Sequence, residues 1–157
     1  MSDMQQRFHK AVTVVVGPWQ AEIDEMIAPL IRETWNAGIE TIMSCQSVPE
    51  GQVWIQFASL GDLERFLGIV AEFSHDPNSI YNRIMLNQRP DDFDRCWSID
   101  VNPFDVAFPD PGDELLVGDC SRRTSIRIEF SVRFPQDDLP GVIAKLQQYN
   151  RVVQPAG

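Results

Sequence analysis

The sequence predicts an α+β fold: a ferredoxin-like two-layer sandwich built on one antiparallel sheet. Three observations lead there. Hydrophobic periods of about 3.6 and of two residues alternate along the chain in the order strand, helix, strand, strand, helix, strand, which is βαββαβ, with a further strand and helix appended. No repeat, linker or composition break divides residues 1–157, so the chain reads as a single domain. At 157 residues roughly two-thirds of the unfolded surface is buried on folding, enough to need no metal or disulfide.

Ala11 to Val16 is rich in β-branched residues and stops at Gly17-Pro18, which predicts a strand. Ile23, Met26, Ile27, Leu30, Ile31, Thr34 and Trp35 recur at three- and four-residue steps, predicting a helix from Ile23 with Pro29 near its first turn or kinking it and Gly38 as its stop. Ile39 to Gln46 and Gln52 to Ala58 read as a hairpin turned by Val48-Pro49-Glu50-Gly51. Ser59 and Asp62 make a capping box for a helix carrying Leu63, Phe66, Leu67, Val70 and Phe73.

Ser79 to Leu86 fits a short helix or a strand equally. Arg95 to Val101 alternates as a half-buried strand, and Thr124 to Phe134 alternates most cleanly of all, with Thr124, Ile126, Ile128, Phe130, Val132 and Phe134 inward. Residues 102–123 between them hold Pro103, Pro109, Pro111, Gly112 and Gly118 and read as a long loop. Asp138 caps a final helix that tolerates Pro140 in its first turn.

Charge narrows the function. Thirteen basic residues against 23 acidic ones give a net charge of −10, a field that repels nucleic-acid backbones and anionic lipid surfaces. Nine of the acids fall between Asp91 and Asp119, against Arg95 alone. The run Ala11 to Val16 is too short for a signal sequence, and no segment approaches the ~20 apolar residues of a membrane span. Cys45, Cys96 and Cys120 are an odd number without regular spacing, which argues for a reducing compartment. The expectation is therefore a cytoplasmic protein with no nucleic-acid or membrane partner.

Chemistry is thinly signalled. Cys45, at a strand end in Ser44-Cys45-Gln46-Ser47, has the position of a nucleophile, but alternation with Ile39, Thr41 and Met43 turns it beneath the helices as a small apolar side chain. His9 and His75 belong to no motif, and His75 occupies an ordinary exposed turn position. Cys45, Cys96, Cys120 and His75 lack the paired spacing of a zinc site. The acidic run Asp110 to Asp119 does not follow the EF-hand pattern and reads as a solvated loop, and phosphate-cradling loops, Gly-x-Ser-x-Gly and His-Glu-x-x-His are missing. No catalytic residue, metal or cofactor is therefore assigned.

The face of the sheet opposite the helices is more suggestive. If Val53, Ile55 and Phe57 point inward, Trp54 and Gln56 point out, beside the basic stripe of Arg122, Arg123, Arg127 and Arg133. Ser98, Asp100 and Glu129 interleave with them, a mixture that suits a protein partner, self-association or a small anionic molecule better than RNA, with an ordinary solvated sheet face as the equal alternative. Trp54, Gln56, Arg127 and Arg133 are the candidate binding residues.

Ile23-Asp24-Glu25-Met26-Ile27-Ala28-Pro29-Leu30-Ile31, followed by Gly38-Ile39-Glu40-Thr41-Ile42-Met43-Ser44-Cys45-Gln46, resembles a pattern of small uncharacterised bacterial and phage-type proteins. In these a helix leads through Gly-Ile-x-Thr into Ser-Cys-x-Gly, and this chain departs at Ser47. The resemblance implies a shared helix-to-hairpin unit and brings no activity. Two functions are thus expected: a non-catalytic binding or assembly module, or a small enzyme using Cys45 or a metal held by the acidic 100–119 region.

Overall fold

The computed structural model describes residues 9–46, 50–86, 97–107 and 125–153. Its first unit is a hairpin. Strands β1 (Ala11–Val16) and β2 (Trp19–Asp24) pair antiparallel, Val16 opposite Trp19 and Ala11 opposite Asp24. Gly17 opens the two-residue loop at φ +54°, a left-handed value that a side chain disfavours and tight hairpin loops require.

That hairpin corrects the start of the first helix. Ile23 is the buried residue of β2, and helix α1 runs Ala28–Asn36 with Pro29 in its first two positions, where a missing N–H costs no hydrogen bond. Trp19, Ala21 and Ile23 are each more buried than Gln20 and Glu22, the period of a strand with one covered face. Gly38, at φ +71°, ends the unit, and both terminal nitrogens of Arg65 donate to the carbonyls of Ala37 and Gly38 at 2.7 and 2.9 Å.

The main sheet holds β3 (Thr41–Cys45), β4 (Gln52–Phe57), β5 (Ser98–Ala107) and β6 (Ser125–Pro135) in the order β3-β4-β6-β5, each neighbouring pair antiparallel. The α+β class and the antiparallel pairing are as expected. The ferredoxin-like βαββαβ arrangement is not confirmed, because β1 pairs with β2 in a separate two-stranded sheet. The first part of the loop expected over residues 102–123 is strand instead. Asn102 to Ala107 continue β5, paired against β6, while residues 108–123 lie outside the described residues, as do Arg95, Cys96 and the turn residues 47–49.

Helix α2 (Leu60–Val70) starts as the capping box predicts: Ser59 Oγ accepts from the Asp62 N–H at 3.1 Å and donates to Asp62 Oδ2 at 2.6 Å. The ambiguous segment is a helix, α3 (Ile80–Leu86). A 3-10 turn, Gln136–Asp138, leads into α4 (Leu139–Val153). The side chain of Asp138 is only 1% exposed. Its carboxylate accepts a bond from Arg83 and another from Trp97 Nε1 at 2.9 Å, which ties α3, β5 and the start of α4 together.

Helices α1 and α2 each pack on α4, α2 also lies against β4 and β6, α1 lies against β1 and β2, and their buried side chains share one core with the main sheet. The core between the layers contains Ile27, Leu30, Ile31, Phe66, Val142 and Leu146 from the helices and Val53, Ile55, Phe57, Val132 and Phe134 from the sheet. Phe57 packs against Phe66 with ring centres 5.1 Å apart, and Trp97 stacks on Phe134 at 4.6 Å. Burying each such aromatic side chain stabilises the fold by about 2–3 kcal/mol.

Candidate functional site

Directly opposed residues of an antiparallel pair point to the same face of a sheet, so the register assigns the face opposite the helices row by row. Cys45 opposes Trp54, Trp54 opposes Arg133, and Arg133 opposes Ser98. One transverse row therefore reads Cys45, Trp54, Arg133, Ser98 across all four strands. The neighbouring row reads Met43, Gln56, Ser131, Asp100. With strands about 4.8 Å apart, each row spans about 14 Å.

This corrects the placement of Cys45. Strict alternation from Ile39 would send it beneath the helices, but the β3–β4 register shifts between Thr41 and Met43. A β-bulge adds one unpaired residue and reverses every side chain beyond it. Thr41 opposes Phe57 of the core, whereas Met43 and Cys45 stand with Gln56 and Trp54 on the other face. Met43 is accordingly 58% exposed.

Of the four residues singled out in the sequence, the structure brings three together. Trp54 and Arg133 are adjacent, and Gln56 lies in the next row. Arg127 does not join them. It sits far along the β5–β6 ribbon, exposed, with Nε 3.9 Å from Asp105 Oδ2. Arg122 and Arg123 lie outside the described residues.

The face is less open than its polar composition suggests. Gln56 is 9% exposed, Ser131 is fully buried, and Trp54 and Arg133 are half-buried. Ser131 Oγ donates to Glu129 Oε1 at 2.7 Å, and Ser98 Oγ to Asp100 Oδ2 at 3.4 Å. Two donors stand apart from this pattern: Trp54 Nε1 and Arg133 Nε are both sealed from solvent and make no hydrogen bond. A buried donor left unpaired costs about 1–3 kcal/mol, and native proteins hold few of them. Here two occur on directly opposed residues.

Other concave and chemically active positions are less developed. A groove of about 400 Å³ between α2 and α4 is lined by Gly68, Ile69, Tyr149 and Val152 and bridged by a 3.2 Å ion pair of Lys145 with Glu72. His9 Nδ1 lies 2.8 Å from Gln46 Nε2, and His75 packs edge-on against Phe73. Among the described residues, no three of His, Cys, Asp and Glu come together as metal ligands. Cys96, Cys120 and the acids from Asp110 to Asp119 lie outside them. The described helices include none long and apolar enough to cross a membrane.

Fold and site together define an α+β protein whose antiparallel sheet is backed by helices on one face and carries a polar, incompletely satisfied opposite face. No protein-family model and no solved structure matches the chain. It is 25% identical over 132 residues to an uncharacterized protein, R428, of Acanthamoeba polyphaga mimivirus. The match covers 82% of this chain and 63% of that protein. The relative is viral, so it lends no support to the bacterial side of the sequence resemblance, and its name carries no activity.

Proposed function

We propose that this chain is a non-catalytic binding or assembly module whose contact surface is the sheet face opposite the helices, centred on Trp54 and Arg133. The observation that carries the reading is the pair of buried, unpartnered donors, Trp54 Nε1 and Arg133 Nε, on residues directly opposed in the β4–β6 register. Folding leaves these two groups short of acceptors, and a bound acceptor supplies what is missing. A flat sheet face with a half-buried Trp and Arg at its centre also matches the composition of binding hot spots.

The competing expectation is an enzyme using Cys45 or a metal in the acidic 100–119 region. The bulge favours the first half of it to one degree, by bringing Cys45 onto the same face as Trp54. A nucleophilic thiol still needs a base. His9 is engaged with Gln46 and His75 packs against Phe73, so the binding reading is preferred. Maleimide labelling of native Cys45 across pH separates the two, since a catalytic thiolate labels rapidly at low pH and an ordinary thiol does not.

The binding reading is tested by mapping contacts on the ¹⁵N-labelled chain. Small anions, short peptides and increasing concentrations of the chain itself serve as probes. Responses are expected to concentrate at Trp54, Gln56 and Arg133 and to vanish when Trp54 and Arg133 are both replaced by Ala. Responses confined to the α2–α4 groove around Tyr149 and Lys145 would place the contact surface elsewhere and end this reading.

A further inference from the structure

Taking the sheet face centred on Trp54 and Arg133 as the contact surface, we infer that these two residues form a receptor for a single carboxylate group; the inference rests on that proposed surface. Arg133 takes the carboxylate side-on through Nε and one terminal nitrogen, and Trp54 Nε1 donates a third bond.

The unpaired atom of Arg133 decides the mode. A guanidinium offers two forks to a planar anion, one of two terminal nitrogens and one of Nε with a terminal nitrogen. Nε is the atom that is both sealed from water and without a partner, so the side-on fork is the one in which an acceptor supplies a bond that solvent does not. Trp54 is its direct cross-strand neighbour on the same face, within the roughly 5 Å that separates the Cβ atoms of opposed residues. Its indole N–H is unfilled as well. Both nitrogens are sealed in the ligand-free arrangement, so the two half-buried side chains part to admit the carboxylate. They gain by doing so, because each exchanges an unmet donor for a charged acceptor.

Local charge selects a carboxylate over a phosphate. Asp100 opposes Ser131, one row from Arg133, and Glu129 lies further along β6 on the same face with its carboxylate held by Ser131. Among the described residues, the other arginine on this face, Arg127, is at the far end beside Asp105. One cation thus meets the ligand with two acids nearby, on a chain of net charge −10. A dianionic phosphate suffers about twice the repulsion from those acids that a monoanion does. A planar, singly charged carboxylate keeps the fork and avoids about half of that repulsion. Such a group comes from a small organic acid or from the end or side chain of a peptide.

The test tracks the Trp54 Nε1–H and Arg133 Nε–H cross-peaks of the full ¹⁵N-labelled chain during titration with acetate, inorganic phosphate, and one pentapeptide with its C-terminus either free or amidated. Acetate and the free-acid peptide are expected to move both peaks saturably. Phosphate should bind about tenfold more weakly, because its second charge adds repulsion from Asp100 and Glu129, and the amidated peptide should leave both peaks in place. The tighter of acetate and free-acid peptide identifies the source of the carboxylate. Arg133→Met should abolish the Trp54 response while the remaining backbone spectrum stays dispersed as in the parent, and Arg133→Lys should restore little of it. Phosphate binding as tightly as acetate, or the amidated peptide binding as tightly as the free acid, would overturn the carboxylate inference and leave the contact surface standing. Still peaks at Trp54 and Arg133 with every probe, alongside movement in the α2–α4 groove, would overturn both.

Discussion

Val53, Ile55, Phe57, Val132 and Phe134 line the helix-covered face of the β4–β6 pair, at most 1% exposed and packed into one apolar core. On the opposite face of the same two strands stand Trp54, Gln56, Ser131 and Arg133, all buried or half-buried, with two nitrogens that have no partner. The two faces share backbone, twist and register, and they differ in how burial is used. Burial on the helix side is matched by contact, and every atom removed leaves a hole. On the other side it is matched by hydrogen bonds that stop short of completion. Burial alone therefore does not say what a position does, and the proposed contact surface rests on two opposed residues of one face that both carry an unmet donor.

Substitutions read this contrast as stability. The largest effect is expected at Phe57. Phe57→Ala removes a side chain packed against Phe66 and should cost about 3–5 kcal/mol by urea unfolding. If Trp54→Ala costs as much, the two faces are energetically alike and the contrast is broken. Asp138→Ala comes next, since it takes the carboxylate from Trp97 Nε1 and from Arg83. Arg83 is 44% exposed and can rehydrate, so the loss should be about 2 kcal/mol, mostly from the indole donor. A Tm unchanged in that variant would show that the carboxylate contributes nothing to joining α3, β5 and α4. A smaller effect, about 1 kcal/mol, is expected from Ser59→Ala, which removes the N-cap of α2.

Much of the helix-side architecture is legible in the sequence because its signals are local. The Ser59-Asp62 cap, the stop at Gly38 and the alternation from Phe130 to Phe134 each follow from side-chain size and backbone freedom within a few residues. The misreadings arise where tertiary pairing decides between local options. Ile23 fits the helical stripe of Ile27, Leu30 and Ile31, yet it also completes the alternation Trp19, Ala21, Ile23, and pairing with Val12 across the hairpin selects the strand. Gly17-Pro18 is the available signal for that turn. The bulge in β3 leaves no such mark, because Thr41, Ile42 and Met43 suit either register. Alternation alone therefore puts Cys45 on the wrong face, while Trp54, whose strand is regular, comes out on the correct one. The unpaired state of Trp54 Nε1 and Arg133 Nε depends on the full set of neighbours and has no counterpart in sequence.

The smallest predicted effect sharpens the comparison most. Trp54→Phe keeps an aromatic ring on the sheet and deletes the indole N–H, which has no acceptor to lose. It forfeits some apolar area of a half-buried side chain, worth about 1 kcal/mol, and removes an unmet buried donor worth a similar amount in the opposite direction. Stability should thus change by less than about 0.5 kcal/mol in urea unfolding, with a gain as acceptable as a loss. The same deletion should remove the carboxylate response at the Arg133 Nε–H cross-peak or weaken it severalfold. Stability retained with recognition lost is what separates a ligand-facing donor from a structural one. A destabilisation of about 2 kcal/mol or more, well beyond the usual spread for positions without a packing role, would mean that the indole donor is already satisfied in solution and that the sheet face is closed for structural reasons.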